Sequence, residues 1–342
     1  MWLVTYIHHL LDYAFSFVKL FQNREVGWQT YIRKTSRYER EQMPIMKKLK
    51  MLLLFNPLVE WIDQTHLFRL WLHDKTVKAG KDEGTPMSAQ QIRSFIDFYH
   101  INMDDFEPSD PHAYKTFEDF FVRKHTAKSR PIFKQDDPSK TVVSADSRIV
   151  VYPTVAKTKE LWIKGKTFTI ENLIMNEKKA MAWNDGAVAS FRLSPQDYHR
   201  YHSPVSGTVT RFNQISGDYY QVDPICLRSK VDVLTKNARC CLEIEAEEFG
   251  KVLFVAIGAT DVGTVEINEK FRKPGAKIAK GEEVGLFQFG GSSIIVAFEK
   301  DRITFDEDLL AMSRRKVMVD VEVGMSLGTA LPACDCDAGS YL

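Results

Sequence analysis

The chain reads as an α+β protein: a mainly antiparallel β domain of short strands, preceded by N-terminal amphipathic helices. Three observations carry this reading. From about residue 140 onward, short runs rich in Val, Ile and Phe alternate with turn residues, as in TVVSAD, RIVVYP, AVASFRL, SGTVTRF, KVLFVAIGA and SIIVAF. Long apolar stretches at helical spacing fall within the first 75 residues. The 342 residues, 44% of them apolar, suffice for one large domain with an extension.

Residues 1–75 are read as a membrane-docking helical region. In its first 21 residues the polar positions Thr5, His8, Asp12, Ser16 and Lys19 recur at steps of three to four. Trp2, Leu3, Ile7, Leu11, Phe15 and Val18 lie on the wide apolar face. A spanning helix would put Asp12 near mid-bilayer, which is costly. A secretory signal would begin basic and end in small residues, and both features are missing. Two readings stay open for this segment: a helix lying in a membrane interface, or one packed on the protein's own core. Lys47, Lys48 and Lys50 then precede an apolar run at 51–55, and 58–73 continues at helical spacing. Such a basic flank suits anionic headgroups.

Residues 76–112 are polar and include Gly80, Gly84, Pro86, Pro108 and Pro111, the composition of a linker, with one helix expected at about 88–100. The β domain spans 113–328. TFEDFFVRKH opens it as a short helix, and TFTIENLI at 167–174 opens another. Residues 329–342 read as a loose tail. Its Cys334 and Cys336, with Cys226, Cys240 and Cys241, form an odd, clustered set unlike a secreted disulfide framework. Two cysteines do not fill a zinc site, so no metal is expected. The net charge of +1 lacks the basic footprint of a nucleic-acid binder.

Three segments could carry chemistry. Phe289-Gly290-Gly291-Ser292-Ser293 lies between two strand-like runs. Its glycines admit backbone shapes closed to other residues. A serine hydroxyl beside a strained peptide can attack the preceding carbonyl, given a base and a holder for the oxyanion. As a bare pattern, Gly-Gly-Ser-Ser is equally an ordinary hairpin turn. Ser194-Pro195-Gln196-Asp197-Tyr198-His199-Arg200-Tyr201-His202 holds two histidines three apart, which face one way if the segment is a helical turn. They could serve as general base and acid, as a metal pair lacking its other ligands, or as satisfied core residues. Val142-Val143-Ser144-Ala145-Asp146 ends an apolar run in an acid that could orient a histidine or simply pair with a nearby Arg.

Taken together and in order, these pieces resemble the phosphatidylserine decarboxylases, pyruvoyl-dependent lipid enzymes. The resemblance runs from Tyr114 to Gly328. It rests on TFEDFFVRK with Ser129-Arg130-Pro131-Ile132, VVSAD, WIKGKTFTIENLI, FRLSPQDYHRYHSPVSG, VAIGATDVGTVEI and KPGAKIAKGEEVGLFQFGGSS. It implies that Ser292 attacks the Gly291 carbonyl to form an ester. β-Elimination then splits the chain into fragments 1–291 and 292–342, and Ser292 ends as a pyruvoyl group with loss of ammonia. His202 would be the base of that step and Asp146 its orienting partner. The pyruvoyl ketone would then condense with the amine of phosphatidylserine and accept the electron pair left as CO₂ departs, giving phosphatidylethanolamine. His199 would return the proton.

Two departures from the family pattern are visible. Ser147 stands where relatives have Gly, a poorer fit if the turn needs positive φ. Ser293 stands where many have Thr, which keeps the hydroxyl. With a bilayer lipid as substrate, residues 1–22 and 43–72 become docking helices at a membrane surface, and the protein is expected to be peripheral. A homodimer is compatible with this reading. The alternative is a catalytically inactive lipid-binding homologue at the membrane surface. A plain Ser-His-Asp hydrolase would often use a Gly-x-Ser-x-Gly elbow, which is lacking here.

Overall fold

The computed structural model describes residues 29–41, 82, 84–156, 169–218, 233–259, 265–288 and 292–332. The expected docking helices at 1–22 and 43–72, Gly291, and cysteines 226, 334 and 336 lie outside the described residues.

The strands are β1 (Gln29–Ile32), β2 (Arg37–Arg40), β3 (Phe106–Glu107), β4 (Lys124–His125), β5 (Lys140–Val142), β6 (Ser147–Tyr152), β7 (Ala187–Leu193), β8 (Arg200–His202) and β9 (Gly207–Ile215). They continue as β10 (Arg239–Ala246), β11 (Gly250–Ile257), β12 (Val265–Ile267), β13 (Lys277–Ile278), β14 (Glu283–Phe287), β15 (Ser292–Phe298), β16 (Ile303–Phe305), β17 (Met318–Val321) and β18 (Ser326–Ala330). One ten-stranded sheet runs β13-β9-β10-β11-β15-β7-β6-β17-β1-β2. Its pairings are antiparallel except β1 with β17. Smaller sheets join β12-β14-β8, β16-β18-β5 and β3-β4. The α+β class expected from short alternating runs is the observed one.

Strand β15 sits in the middle of the large sheet, and all seven of its residues are buried. That explains its unbroken apolar run: both faces are covered, so alternation is not required. Ile294, Ile295 and Val296 each remove a whole side chain from water, about 2 kcal/mol apiece. The start of the strand, Ser292, is held in place by that burial. Its register puts Ser292 opposite Leu193 of β7, and Ser293 opposite Arg192 on one side and Ile257 on the other.

The helices include α1 (Gln91–Tyr99), α2 (Phe117–Phe121) and α3 (Ile170–Ile174). α1 matches the helix expected in the linker. α2 begins with a capping box, in which the Thr116 hydroxyl accepts from the Asp119 amide at 3.0 Å and the Asp119 carboxylate accepts from the Thr116 amide at 3.2 Å. Its phenylalanines 117, 120 and 121 pack with Ile92 and Ile96 of α1 in a satellite core. α3 is capped by Thr169, so the helix starts inside the expected 167–174 stretch.

Two segments differ from the sequence reading. Residues 29–40, placed within a helical region, form the β1–β2 hairpin on the edge of the large sheet. Thr30, Tyr31 and Ile32 favour strand, and Ser36 takes the left-handed turn with φ 54°. The tail expected from 329 onward begins later. β18 runs to Ala330, and the Leu331 amide donates to the Arg302 carbonyl at 3.1 Å.

Candidate active site

The segment 194–202 forms the floor of the site. It leaves β7 at Leu193, turns at Ser194, and re-enters as β8. The turn is closed on itself: the Ser194 amide donates to the Asp197 carboxylate at 2.7 Å, and the Asp197 amide to the Ser194 carbonyl at 2.9 Å. β8 then pairs with β14, with His202 opposite Glu283 and Arg200 opposite Leu286. The Phe287 amide donates to the His199 carbonyl at 2.8 Å. The backbone of His199 therefore lies beside the residue that ends β14, and Ser292 begins β15 opposite Leu193. His202 sits about 10 Å further along β8.

The two histidines do not share surroundings. A helical turn would have aligned them, but the segment is not helical: His202 ends β8, His199 lies just before that strand, and the two rings meet different neighbours. His199 is fully buried, its ring 3.9 Å from that of Phe121 between centroids. Its Nδ1 donates to the Asp197 carbonyl at 2.9 Å. His202 is partly buried. Its Nδ1 donates to the Gly281 carbonyl at 2.9 Å, which leaves Nε2 as an acceptor for the Tyr198 hydroxyl at 3.1 Å. Burial lowers the His202 pKa, outweighing the Gly281 hydrogen bond and the fields of Glu283 and Asp146. The ring is thus held neutral with a basic nitrogen at Nε2.

Asp146 does not hydrogen-bond to His202, contrary to the triad order read from the sequence. Its carboxylate accepts from His125 Nε2 at 3.1 Å, from Arg130 Nη2 at 2.7 Å and Nε at 3.1 Å, and from the Val323 amide at 2.8 Å. Burial pushes its pKa up, but the hydrogen bonds from His125 and Arg130 outweigh this and hold it well below the usual carboxylate range. The tautomer of His202 is set by the Gly281 carbonyl instead, and Asp146 reaches that ring only through its field. Ser147 does not have positive φ. It starts β6 in extended backbone, and its hydroxyl donates to the Ala145 carbonyl at 3.0 Å. The missing glycine therefore costs nothing here.

Ser292 is fully buried, and its hydroxyl has no hydrogen-bond partner among the described residues. A buried hydroxyl left so is unfavourable, by about 1–3 kcal/mol. It is the kind of orphan that a residue kept for chemistry presents.

Several contributors were not singled out in the sequence. His125 is stacked on Phe106 at 4.5 Å and lies 4.1 Å from the ring of Tyr198, joining Asp146 to the His202 side. Both of its ring nitrogens face acceptors, Asp105 carbonyl and Asp146 carboxylate. The end of α2 grips the floor at three successive residues. Phe121 lies against His199, the Val122 carbonyl accepts from Arg200 Nε at 2.8 Å, and Arg123 Nη2 donates to the Gln196 carbonyl at 2.8 Å. Each belongs to the TFEDFFVRKH piece, whose polar residues inside an aromatic-rich run were the available signal.

A β domain of this topology, with a buried, unpartnered serine hydroxyl opening its central strand opposite the residue from which the histidine segment departs, holds a candidate enzyme site. Comparison of the sequence with known proteins specifies the class. The profile of the family "Phosphatidylserine decarboxylase" matches residues 117–329. "Phosphatidylserine decarboxylase proenzyme 2" of Oryza sativa subsp. japonica is 44% identical over 263 residues, covering 76% of this chain and 41% of that one. "Phosphatidylserine decarboxylase proenzyme 3" of Schizosaccharomyces pombe is 36% identical over 296 residues, 86% of this chain and 30% of its own. "Phosphatidylserine decarboxylase proenzyme" of Chlamydia trachomatis is 36% identical over 237 residues, 69% of this chain and 77% of its own. The chain belongs to the phosphatidylserine decarboxylase family. It spans well under half the length of the rice and fission-yeast relatives.

Proposed function

We propose that the chain is a self-processing carboxy-lyase that converts phosphatidylserine to phosphatidylethanolamine and CO₂. The observation that carries this is Ser292: a buried hydroxyl with no partner among the described residues, at the first position of the central strand, opposite Leu193, after which the segment holding His199 and His202 begins. The relatives' name, proenzyme, supports a cleaved product.

In the processing step Ser292 Oγ attacks the Gly291 carbonyl as a base removes its proton. The peptide becomes an ester, and elimination releases the upstream fragment. His202 is the assigned base, because Nδ1 is committed to a carbonyl and Nε2 is left basic. The negative field of Asp146 favours the charged ring that forms. Elimination leaves a dehydroalanine at position 292, which water would hydrolyse to a pyruvoyl group with release of ammonia, and that group would supply an electron sink for decarboxylation. The buried surroundings of Ser292 fit such a group, and they exclude the water that a departing carboxylate would otherwise hold. His199 is the assigned proton donor. Its ring is fixed by Phe121 and the Asp197 carbonyl, and its backbone is bonded to the residue that precedes the cleavage segment by a few positions.

The substrate is a bilayer lipid, so docking by the amphipathic segments 1–22 and 43–72 at a membrane surface belongs to the same proposal. Intact mass spectrometry of the purified chain tests the chemistry. Two fragments are expected, with the one from 292 blocked by a ketone-bearing terminus, and Ser292→Ala yields one chain without decarboxylase activity. A single uncleaved chain with full activity overturns the mechanism. A single chain that binds lipid vesicles without turnover supports the inactive homologue instead.

A further inference from the structure

A buried carboxylate reaches the site from outside the family-matched segment. Glu41 follows β2, whose four residues are all exposed, yet its own side chain is only 3% exposed. One carboxylate oxygen accepts from Arg192 Nη2 at 2.7 Å, and the other accepts from the Ser194 hydroxyl. Arg192 Nη1 also donates to that hydroxyl at 3.1 Å. These are the residues on either side of Leu193, which pairs with Ser292. Arg192 itself pairs with Ser293.

The contact extends into the histidine segment. Ser194 and Asp197 close their turn through two hydrogen bonds, and the Asp197 carbonyl holds His199 Nδ1. The Asp197 carboxylate is paired with Arg148, which also meets Asp320 at 3.2 Å. Asp320, Arg148, Arg192 and Ser293 are successive Cα partners across β17, β6, β7 and β15. They form one polar row ending beside the scissile position. Glu41 provides the counter-charge for Arg192 within that row.

The hairpin that delivers Glu41 is itself fastened. β1 pairs with β17, and Arg33 bridges Asp306 at 2.8 Å and Asp308 at 2.7 Å. Lys34 meets Glu322 at 2.8 Å. An exposed strand that ends in a buried acid is poorly explained by burial of apolar surface. It is explained by delivery of that acid.

Resting on the self-processing reading above, we propose that Glu41 is a positioning residue for chain cleavage: it fixes Arg192 and Ser194, which flank the Leu193 that pairs with Ser292. The 29–41 hairpin is then part of the processing unit.

Full-length Ser194→Ala, Glu41→Gln and the pair Glu41→Gln/Arg192→Gln test this, read by the rate of appearance of fragments and by thermal unfolding. Ser292→Ala serves as the uncleaved reference. Ser194→Ala keeps the Glu41–Arg192 ion pair but takes a donor from the buried carboxylate, so it should melt modestly lower than wild type, above Glu41→Gln, and cleave at least tenfold more slowly. Glu41→Gln should cleave as slowly and melt lower. The double variant, with both charges removed, should regain the melting temperature and remain slow. Cleavage of Ser194→Ala at the wild-type rate overturns the proposal. So does a double variant that recovers stability and cleavage together, the behaviour of a purely structural ion pair. If Glu41→Gln fails to fold, the other two variants decide. A wild-type chain that never cleaves sinks the self-processing reading itself, an outcome separate from any difference among the variants.

Discussion

His199 and His202 lie three residues apart on one segment, and their surroundings are opposite. His199 is sealed against Phe121, with its carbonyl on Phe287 at the end of β14. His202 is partly buried, pinned by the Gly281 carbonyl at the other end of the same pairing and touched by Tyr198. One short motif thus equips two environments, His199 just before β8 and His202 at its end. The comparison teaches that "the two histidines of the motif" are not one functional unit. One ring is sealed in an aromatic contact, and the other keeps a basic nitrogen at Nε2.

The largest expected effect that breaks or sharpens this contrast is on cleavage. His202→Ala should slow fragment formation by about 10³, the scale of general base catalysis, followed on a denaturing gel. Rapid cleavage in that variant would move the base role elsewhere. His199→Ala should still yield fragments, while turnover of the cleaved form falls by about 10², measured as CO₂ release from phosphatidylserine vesicles. Unchanged turnover by the cleaved form would remove His199 from the proton step.

A third test addresses Asp146, which the motif order gave to His202 and the structure gives to His125 and Arg130. Asp146→Asn should lower stability by about 1–3 kcal/mol at neutral pH, since it leaves the part-buried Arg130 with only the more distant Asp105 and Glu322 carboxylates and removes an acceptor from His125. The sign with pH follows from the depressed folded pKa. The carboxylate contributes stability that is present above the unfolded value of 3.8 and is lost as pH falls through the folded one. Denaturant titrations should therefore show a constant gap from pH 7 to about 4.5 and the variant converging on wild type only as the pH falls below 3.8. The smallest effect is expected from Tyr198→Phe. Its hydroxyl donates to His202 Nε2 and favours the neutral ring, so its loss should raise the acid limb of the cleavage–pH profile, with a rate change of about threefold or less.

Much of the site was legible in the sequence because its residues sit in local motifs. Ser292 beside two glycines, the pair His199 and His202, and Asp146 at the end of VVSAD each announce themselves within a few residues. Their partners do not. His125 reaches Asp146 across 21 residues, and Glu41 reaches Arg192 across 151. Nothing in the composition around Glu41, one acid in a charged stretch, separates it from its exposed neighbour Glu39. The hairpin at 29–40 was hidden for a related reason, since edge strands lack the apolar alternation that marks a half-buried one.

The sequence by itself therefore determined the β class of the domain, the position of the candidate nucleophile Ser292 and the identity of the ionisable groups in its motifs. Those depend on local periodicity and on residue chemistry. Only the tertiary structure decided which acid meets which base. It set the two histidines among different neighbours, handed Asp146 to His125 and Arg130, and brought Glu41 beneath the floor of the site. Register between strands far apart in the chain makes those choices, and register is fixed by packing across the whole sheet rather than by any one segment.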